Sequence, residues 1–335
     1  MLNPCNTDVY GYFPQDGPLE TGDIVARLQH FCMPKLYRRG GTSMGLLIEQ
    51  VLNAVQLGLT LFIVAAGLTL VFGIMGVLNL AHGSLYMIGA YLCAALTAKF
   101  GSFTLGVLAA VALTAIVGLL MERLVLRHLY HRDHLDQVLA TFGLILFFNE
   151  LVRVWWGPVA LFIDVPAALA GSVPLPNGAS FATYRLLLIA IAAATAAALW
   201  WIVARTKLGM LIRAVASQRA VMPALGVNTA ALSALVFALG AALAAISGAL
   251  TAPLYTVQSG MGDALLIQSL VVLVIGGISS VRGAFVAALL VGAVDTFGRL
   301  LPGLMGAPAS IGDVAVYLLM ILVLTVRPSG LFGRA

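Results

Sequence analysis

A chain of 335 residues that is 61% hydrophobic and 9% charged falls far outside the about 25% charged residues of a soluble domain. Its mean hydropathy of +1.04 makes lipid the expected surroundings. The net charge of +5 does not indicate nucleic acid, because the basic residues form no block with interleaved aromatics and sit at the ends of apolar runs. Three cysteines, Cys5, Cys32 and Cys93, give no disulfide framework, and Cys93 lies in an apolar run where packing is its expected role.

Residues 1–45 are a different material. They carry Pro4, Pro14, Pro18, Pro34 and mixed charges, with no apolar run to serve as a signal-peptide core. The stretch reads as a poorly ordered extension. Codons GGA-GGT at Gly40-Gly41 would resemble a ribosome-binding site ahead of a start at Met44, which the DNA sequence tests; a genuine tail is the alternative.

Residues 46–333 read as one transmembrane domain. Apolar runs occupy Ile48–Phe72, Leu78–Ala98, Phe103–Leu126, Val138–Trp156, Tyr184–Ala204, Ala230–Ala252, Ala264–Ile278, Ala284–Leu301 and Val314–Val326. Many approach the about 20 residues of helix that cross a bilayer. They are continuous and rich in Ala, Leu and Gly, without the two-residue alternation of a barrel strand, so helices satisfy their backbone groups. Trp155-Trp156 and Trp200-Trp201 close two runs as interfacial anchors.

The junctions carry unequal charge. Arg123, Arg127, Arg132, Arg205, Lys207, Arg213, Arg219, Arg282, Arg327 and Arg334 fall on one set, whereas Gly157–Thr183, Pro253–Leu266 and Pro302–Asp313 contain no Lys or Arg. The positive-inside bias places the first set in the cytoplasm and the second outside. Arg153, Arg185 and Arg299 run against the pattern. A cytoplasmic N-terminus with Lys35, Arg38 and Arg39 requires about eight crossings, with Leu78–Ala98 entering and leaving by one face. The glycine-rich, polar opening of that run, with Asn79, His82, Gly83 and Ser84, suits a broken or re-entrant segment, which is tolerated at depth only inside protein or against water. A second break holds Gly276, Gly277, Ser279, Ser280 and Gly283. Paired interruptions in two pseudo-symmetric halves point to a transport pathway at a repeat interface; in the eight-crossing arrangement they lie on opposite faces. Close packing through small residues is the alternative.

No Gly-x-x-x-x-Gly-Lys-Ser/Thr occurs, so the sequence offers no P-loop for ATP. His128, His131 and His134 are three apart, but they lie among Arg127, Arg132 and Asp133 in a polar turn, and no His-Glu-x-x-His or Cys-x-x-Cys accompanies them. Ser84 beside His82 is a weak nucleophile–base pair. Glu150 precedes Arg153, and Asp295 precedes Arg299, by one helical turn, so ion pairing competes with any substrate role. His82 has no charged partner nearby in sequence and suits a structural or a pathway role equally. Arg205–Asn228 is amphipathic and bounded by Gly209 and Gly226. Its apolar Leu211, Val215 and Met222, with Arg213 and Arg219 elsewhere, suit docking into a partner's groove or lying on anionic lipid.

Gly76–Gly83 (GVLNLAHG), Arg132–Leu144 (RDHLDQVLATFGL), Leu208–Asn228, Phe237–Pro253 (FALGAALAAISGALTAP), Val271–Ala284 (VVLVIGGISSVRGA) and Arg327–Gly333 (RPSGLFG) resemble LivH-type permeases of branched-chain amino acid ABC importers. The resemblance runs from about Leu47 to Gly333; Pro223 in the coupling segment and the N-terminal extension depart from it. It implies an all-α polytopic fold in the bacterial inner membrane, with a cytoplasmic C-terminus. It implies a second homologous permease subunit, two cytoplasmic ATPase subunits that hold ATP and Mg, and a periplasmic binding protein, with no cofactor on this chain. Leu208–Asn228 would be the coupling segment, with Gly209, Arg213, Ala214, Gln218, Arg219 and Gly226 facing the ATPase. Asn79, His82, Gly83, Ser84, Thr141, Gly143, Gly276, Gly277, Ser279, Ser280 and Gly283 would line the pathway. Urea, short amides and aromatic acids remain alternative cargoes. An ion-coupled secondary transporter would need buried carboxylates, for which Glu150 and Asp295 are the candidates; an intramembrane enzyme lacks a competent catalytic set.

Overall fold

The computed structural model describes residues 43–130, 132–174, 180–218, 221–278, 280–300 and 311–333. The extension before Ser43, and the candidates His131, Arg219 and Ser279, lie outside the described residues. Among the described residues ten helices carry the fold: α1 (Ser43–Met75), α2 (His82–Phe100), α3 (Phe103–Met121), α4 (His134–Trp156), α5 (Thr183–Arg205), α6 (Lys207–Ser217), α7 (Thr229–Thr251), α8 (Met261–Gly276), α9 (Val281–Gly298) and α10 (Ile311–Val326). A π-turn, Glu122–Leu126, prolongs α3 towards Leu129. The described residues also include one short hairpin, β1 (Ser172–Pro174) against β2 (Ser180–Ala182), between α4 and α5. Among the described residues six helices, α1, α3, α4, α5, α7 and α9, are long and apolar enough to cross a membrane; α8 and α10 are shorter apolar helices.

Burial sorts these elements. The apolar window of α1 is 83% buried, against 22% or less for α3, α4 and α5. α1 is therefore the central post, packed chiefly against α9 and α7, while the other three turn a broad apolar face outward. α2 is enclosed chiefly by α3, α7 and α8. That enclosure explains its composition, since a helix surrounded by protein can carry His82, Ser84, Tyr86 and Tyr91 where a lipid-facing helix cannot.

Side-chain contacts define two ends of the bundle. At one, the Arg185 guanidinium opening α5 donates to Asn53 Oδ1 of α1 at 2.7 Å, Phe103 opening α3 meets Tyr184 edge-on, and Arg299 after α9 reaches Asp313 of α10 at 2.8 Å. At the other, the Tyr130 hydroxyl beyond α3 contacts Met75 Sδ at the finish of α1. The finish of α5 carries α6 there as well.

These contacts correct two expectations. α2 does not leave by the face it enters. After Met75, Gly76 adopts φ +68°, a left-handed conformation that suits glycine, and the chain climbs back to His82, level with the middle of α1 and α7. From there α2 continues to Phe100, where α3 starts beside Tyr184 at the Arg185 end. The apolar run measured how much chain is buried, not the depth at which its helix begins. Nor do the two glycine breaks occupy opposite faces. α1 descends to Tyr130 before the first break, and α9 climbs to the Arg185 end after the second, so both are reached from the Tyr130 end.

Candidate functional site

The first break builds a buried polar seam at mid-depth. His82 is fully enclosed beside the Val64 backbone, and neither ring nitrogen makes a hydrogen bond of normal geometry among the described residues. Its ring fills a notch made by Gly67 of α1, where a Cβ would lie 3.0 Å from both His82 Nε2 and the Gly240 oxygen of α7. Asn79 Oδ1 accepts from the Ala81 N–H at 3.1 Å, a local turn that lets the chain start a helix inside the bundle. Asn79 Nδ2 and Ser84 Oγ are buried without a hydrogen-bond partner among the described residues; such groups cost about 1–3 kcal/mol each. Gly83 meets Gly262 of α8 backbone to backbone: a Cβ on Gly83 would come within 2.4 Å of the Gly262 oxygen. Towards the Arg185 end, the Tyr86 hydroxyl and Thr251 Oγ1 are 2.7 Å apart.

The second break lies at the other end of α8, about 21 Å away by helical rise. The structure does not bring the two together. Ser280 Oγ caps α9 by accepting from the Gly283 N–H at 3.0 Å. Gly276 and Gly283 lie against each other's backbone, and Gly277 lies against Gly330 and Gly333 of the C-terminal segment. Their missing side chains are filled by main chain, so close packing accounts for these glycines. Thr141 is buried but bonds back to Gln137 and Val138 of its own helix. Gly143 lies on the outward face of α4 with Phe142, Leu146 and Phe147, away from the His82 seam.

The coupling segment is not one long amphipathic helix. α6 has 11 residues and stops at Gln218. A turn then leads to a single 3-10 turn, Met222–Leu225, which opens with Pro223, ends at Gly226 in a left-handed conformation (φ +80°), and passes to the Asn228 cap of α7. Pro223 lacks the N–H a continuing helix needs. α6 buries Gly209, Ile212 and Val215, leaves Ala214 half-buried, and exposes Lys207, Met210, Arg213 and Gln218. Three contacts tie it to α5. The Thr206 hydroxyl that caps α6 donates to the Ile202 carbonyl of α5 at 2.5 Å, Gly209 packs on the Val203 carbonyl, and the Arg213 guanidinium donates to that same Val203 oxygen. A cation at a helix C-terminus also meets the negative end of its dipole.

At the Arg185 end, the ionisable groups within the runs resolve into pairs. Asp295, nearly fully buried, receives two bonds from Arg299 at 2.9 and 3.0 Å, and Glu150 pairs with Arg153 at 2.9 Å. Both carboxylates are paired with the arginines that helical spacing suggested. Two features escaped the sequence reading. Glu122 is buried at the π-turn, where Oε1 accepts from the Tyr130 hydroxyl at 2.8 Å and lies 3.8 Å from Arg127. Gln50, Asn53 and Gln56 form a polar ladder on α1, whose three-residue spacing was the available signal.

Comparison with known proteins places this architecture. The profile of the family described as branched-chain amino acid transport system / permease component matches residues 50–324. A high-affinity branched-chain amino acid transport system permease protein, BraD of Pseudomonas aeruginosa, is 31% identical over 316 residues, covering 90% of this chain and 98% of that protein. The corresponding LivH of Escherichia coli is 27% identical, covering 86% and 96%. A probable LivH of Methanocaldococcus jannaschii is 24% identical, covering 82% and 88%. Among solved structures, PsaBC from Streptococcus pneumoniae in complex with Fab aligns with a TM-score of 0.46 at 12% identity, over 84% of this chain and 92% of that one. The chain is a multi-helix membrane protein that belongs to the branched-chain amino acid transport permease family.

Proposed function

We propose that this chain is a pathway-forming subunit of an ABC importer for branched-chain amino acids, working with a second permease subunit, two cytoplasmic ATPases that hold ATP and Mg, and a periplasmic binding protein. It is not an enzyme: the sequence contains no P-loop, so hydrolysis belongs to the partners. Charge bias assigns the Tyr130 end, with α6 and the C-terminus, to the cytoplasm of a bacterial inner membrane, and the Arg185 end to the outside. In this arrangement the segment from Gly76 to the end of α2 makes one crossing, and α1 begins outside.

The observation that carries the reading is α6: a short amphipathic helix riveted to α5 by Thr206, Gly209 and Arg213, with Lys207, Met210 and Gln218 free on its other face. A push delivered there by an ATPase is transmitted to α5 and α1 without first deforming a linker. The mid-depth seam of Asn79, His82 and Ser84, where α1, α2, α7 and α8 converge, is the place at which such a shift would alter the pathway. Alternation between two states follows ATP binding only through differential affinity for them.

The test is leucine uptake in vesicles holding the complete set of subunits. Arg213→Glu inserts normally and abolishes uptake; unaltered uptake by this variant removes the coupling role.

A further inference from the structure

At the Arg185 end a cavity of about 330 Å³ opens between α1, α5, the segment after α7 and the finish of α9. This is within the about 300–1,000 Å³ range of small-molecule sites. Its polar wall holds Asn53, Gln56, Arg185, Asp295 and Arg299; its apolar wall holds Leu57, Leu254 and Leu300. The three arginines that run against the charge bias differ here. Arg153 is paired with Glu150, and Arg299 with Asp295 and Asp313. Arg185 has no carboxylate partner among the described residues and is held by a neutral amide, Asn53 Oδ1. Beside it, Gln56 is only 8% exposed, and its Oε1 is buried without a hydrogen-bond partner among the described residues. A buried orphan acceptor is costly unless something supplies a donor.

The geometry points to this cavity as an outer-face binding site for a small aliphatic α-amino acid, its carboxylate on Arg185, its ammonium on Gln56 Oε1, and its side chain against the three leucines. The guanidinium matches a carboxylate in fork geometry, the orphan oxygen requires a donor, and the remaining wall is aliphatic. An inorganic anion would use Arg185 but neither the acceptor nor the leucines. This site rests on the importer reading above and deepens it, placing a waypoint between the binding protein and the mid-depth seam.

The purified full chain in lipid nanodiscs is titrated with L-leucine, L-leucinamide (no carboxylate) and 4-methylpentanoate (no ammonium), with binding followed by saturation-transfer NMR. Leucine binds; leucinamide and Arg185→Gln each weaken binding roughly tenfold to hundredfold, the worth of a hydrogen bond to a charged group. Arg185→Lys retains most of it, which separates a lost charge from a lost fold. Gln56→Leu weakens leucine but not 4-methylpentanoate. Equal binding of leucine and its amide, wild-type binding by Arg185→Gln, or no leucine binding to wild type overturns the site. Leucine uptake by the assembled transporter is read separately: uptake unchanged by Arg185→Gln sinks the site and leaves the importer standing, whereas a wild-type assembly that takes up no branched-chain amino acid sinks the importer itself.

Discussion

Single residues here hold helices at distances that no larger side chain permits. Gly83→Ala drives a methyl group into the Gly262 carbonyl, and α8 would have to shift. Overpacking of this kind costs about 1–3 kcal/mol, so the variant melts at lower temperature in detergent while Gly76→Ala, with nothing within 4 Å, loses only what its positive φ imposes. Asp295→Asn removes the buried partner of Arg299. Because Arg299 keeps Asp313 and is half exposed, the loss is limited to roughly 1–2 kcal/mol, visible as a modest fall in melting temperature. Arg213→Glu replaces a donor to the Val203 carbonyl with an anion at the negative end of α5. Its effect belongs to transport, and Arg213→Lys, which keeps charge and donor, recovers part of it.

At the scale of elements, much of the architecture was legible. Every described helix of the membrane domain except the amphipathic α6 grew from an apolar run, with ends shifted by a few residues: Ile48–Phe72 became Ser43–Met75, and Ala230–Ala252 became Thr229–Thr251. The Asp295–Arg299 and Glu150–Arg153 pairs followed from helical spacing. What sequence could not convey was depth. That α2 starts level with Gly67, and that Gly83 touches Gly262, depends on contacts between segments remote in the chain, and hydropathy carries no trace of them. Under the proposed orientation α1 begins at the outer end, beside Arg185 and the finish of α9, against the bias of Lys35, Arg38 and Arg39. Cysteine labelling checks the consequence. In a background without Cys5 and Cys32, Leu46→Cys reacts with an impermeant maleimide from outside and Met210→Cys only from the cytoplasmic side; both residues are exposed. Reaction of both from one side would reverse α1.

At the scale of the molecule, the described residues form a buried centre with apolar faces turned outward. α3, α4 and α10 present Leu105, Leu108, Phe142, Leu146, Leu318 and Leu322 to their surroundings, surfaces that the proposed assembly would set against lipid and a second subunit. Under the proposed function the chain supplies a route and its partners the energy, so proteoliposomes holding it alone accumulate no leucine against a gradient, and adding the proposed ATPases, companion permease and binding protein restores accumulation with ATP. Accumulation by the lone subunit would end this account. The C-terminal residues have a bearing on how such experiments are built. Leu331 donates its N–H to the Ile275 carbonyl at 2.8 Å, and Gly330 and Gly333 lie on Gly277, so the last turn of chain buckles the α8–α9 bend shut. Trimming the protein after Arg327, or fusing a tag flush against Gly333, unfastens that buckle, and purification handles belong on the opposite terminus.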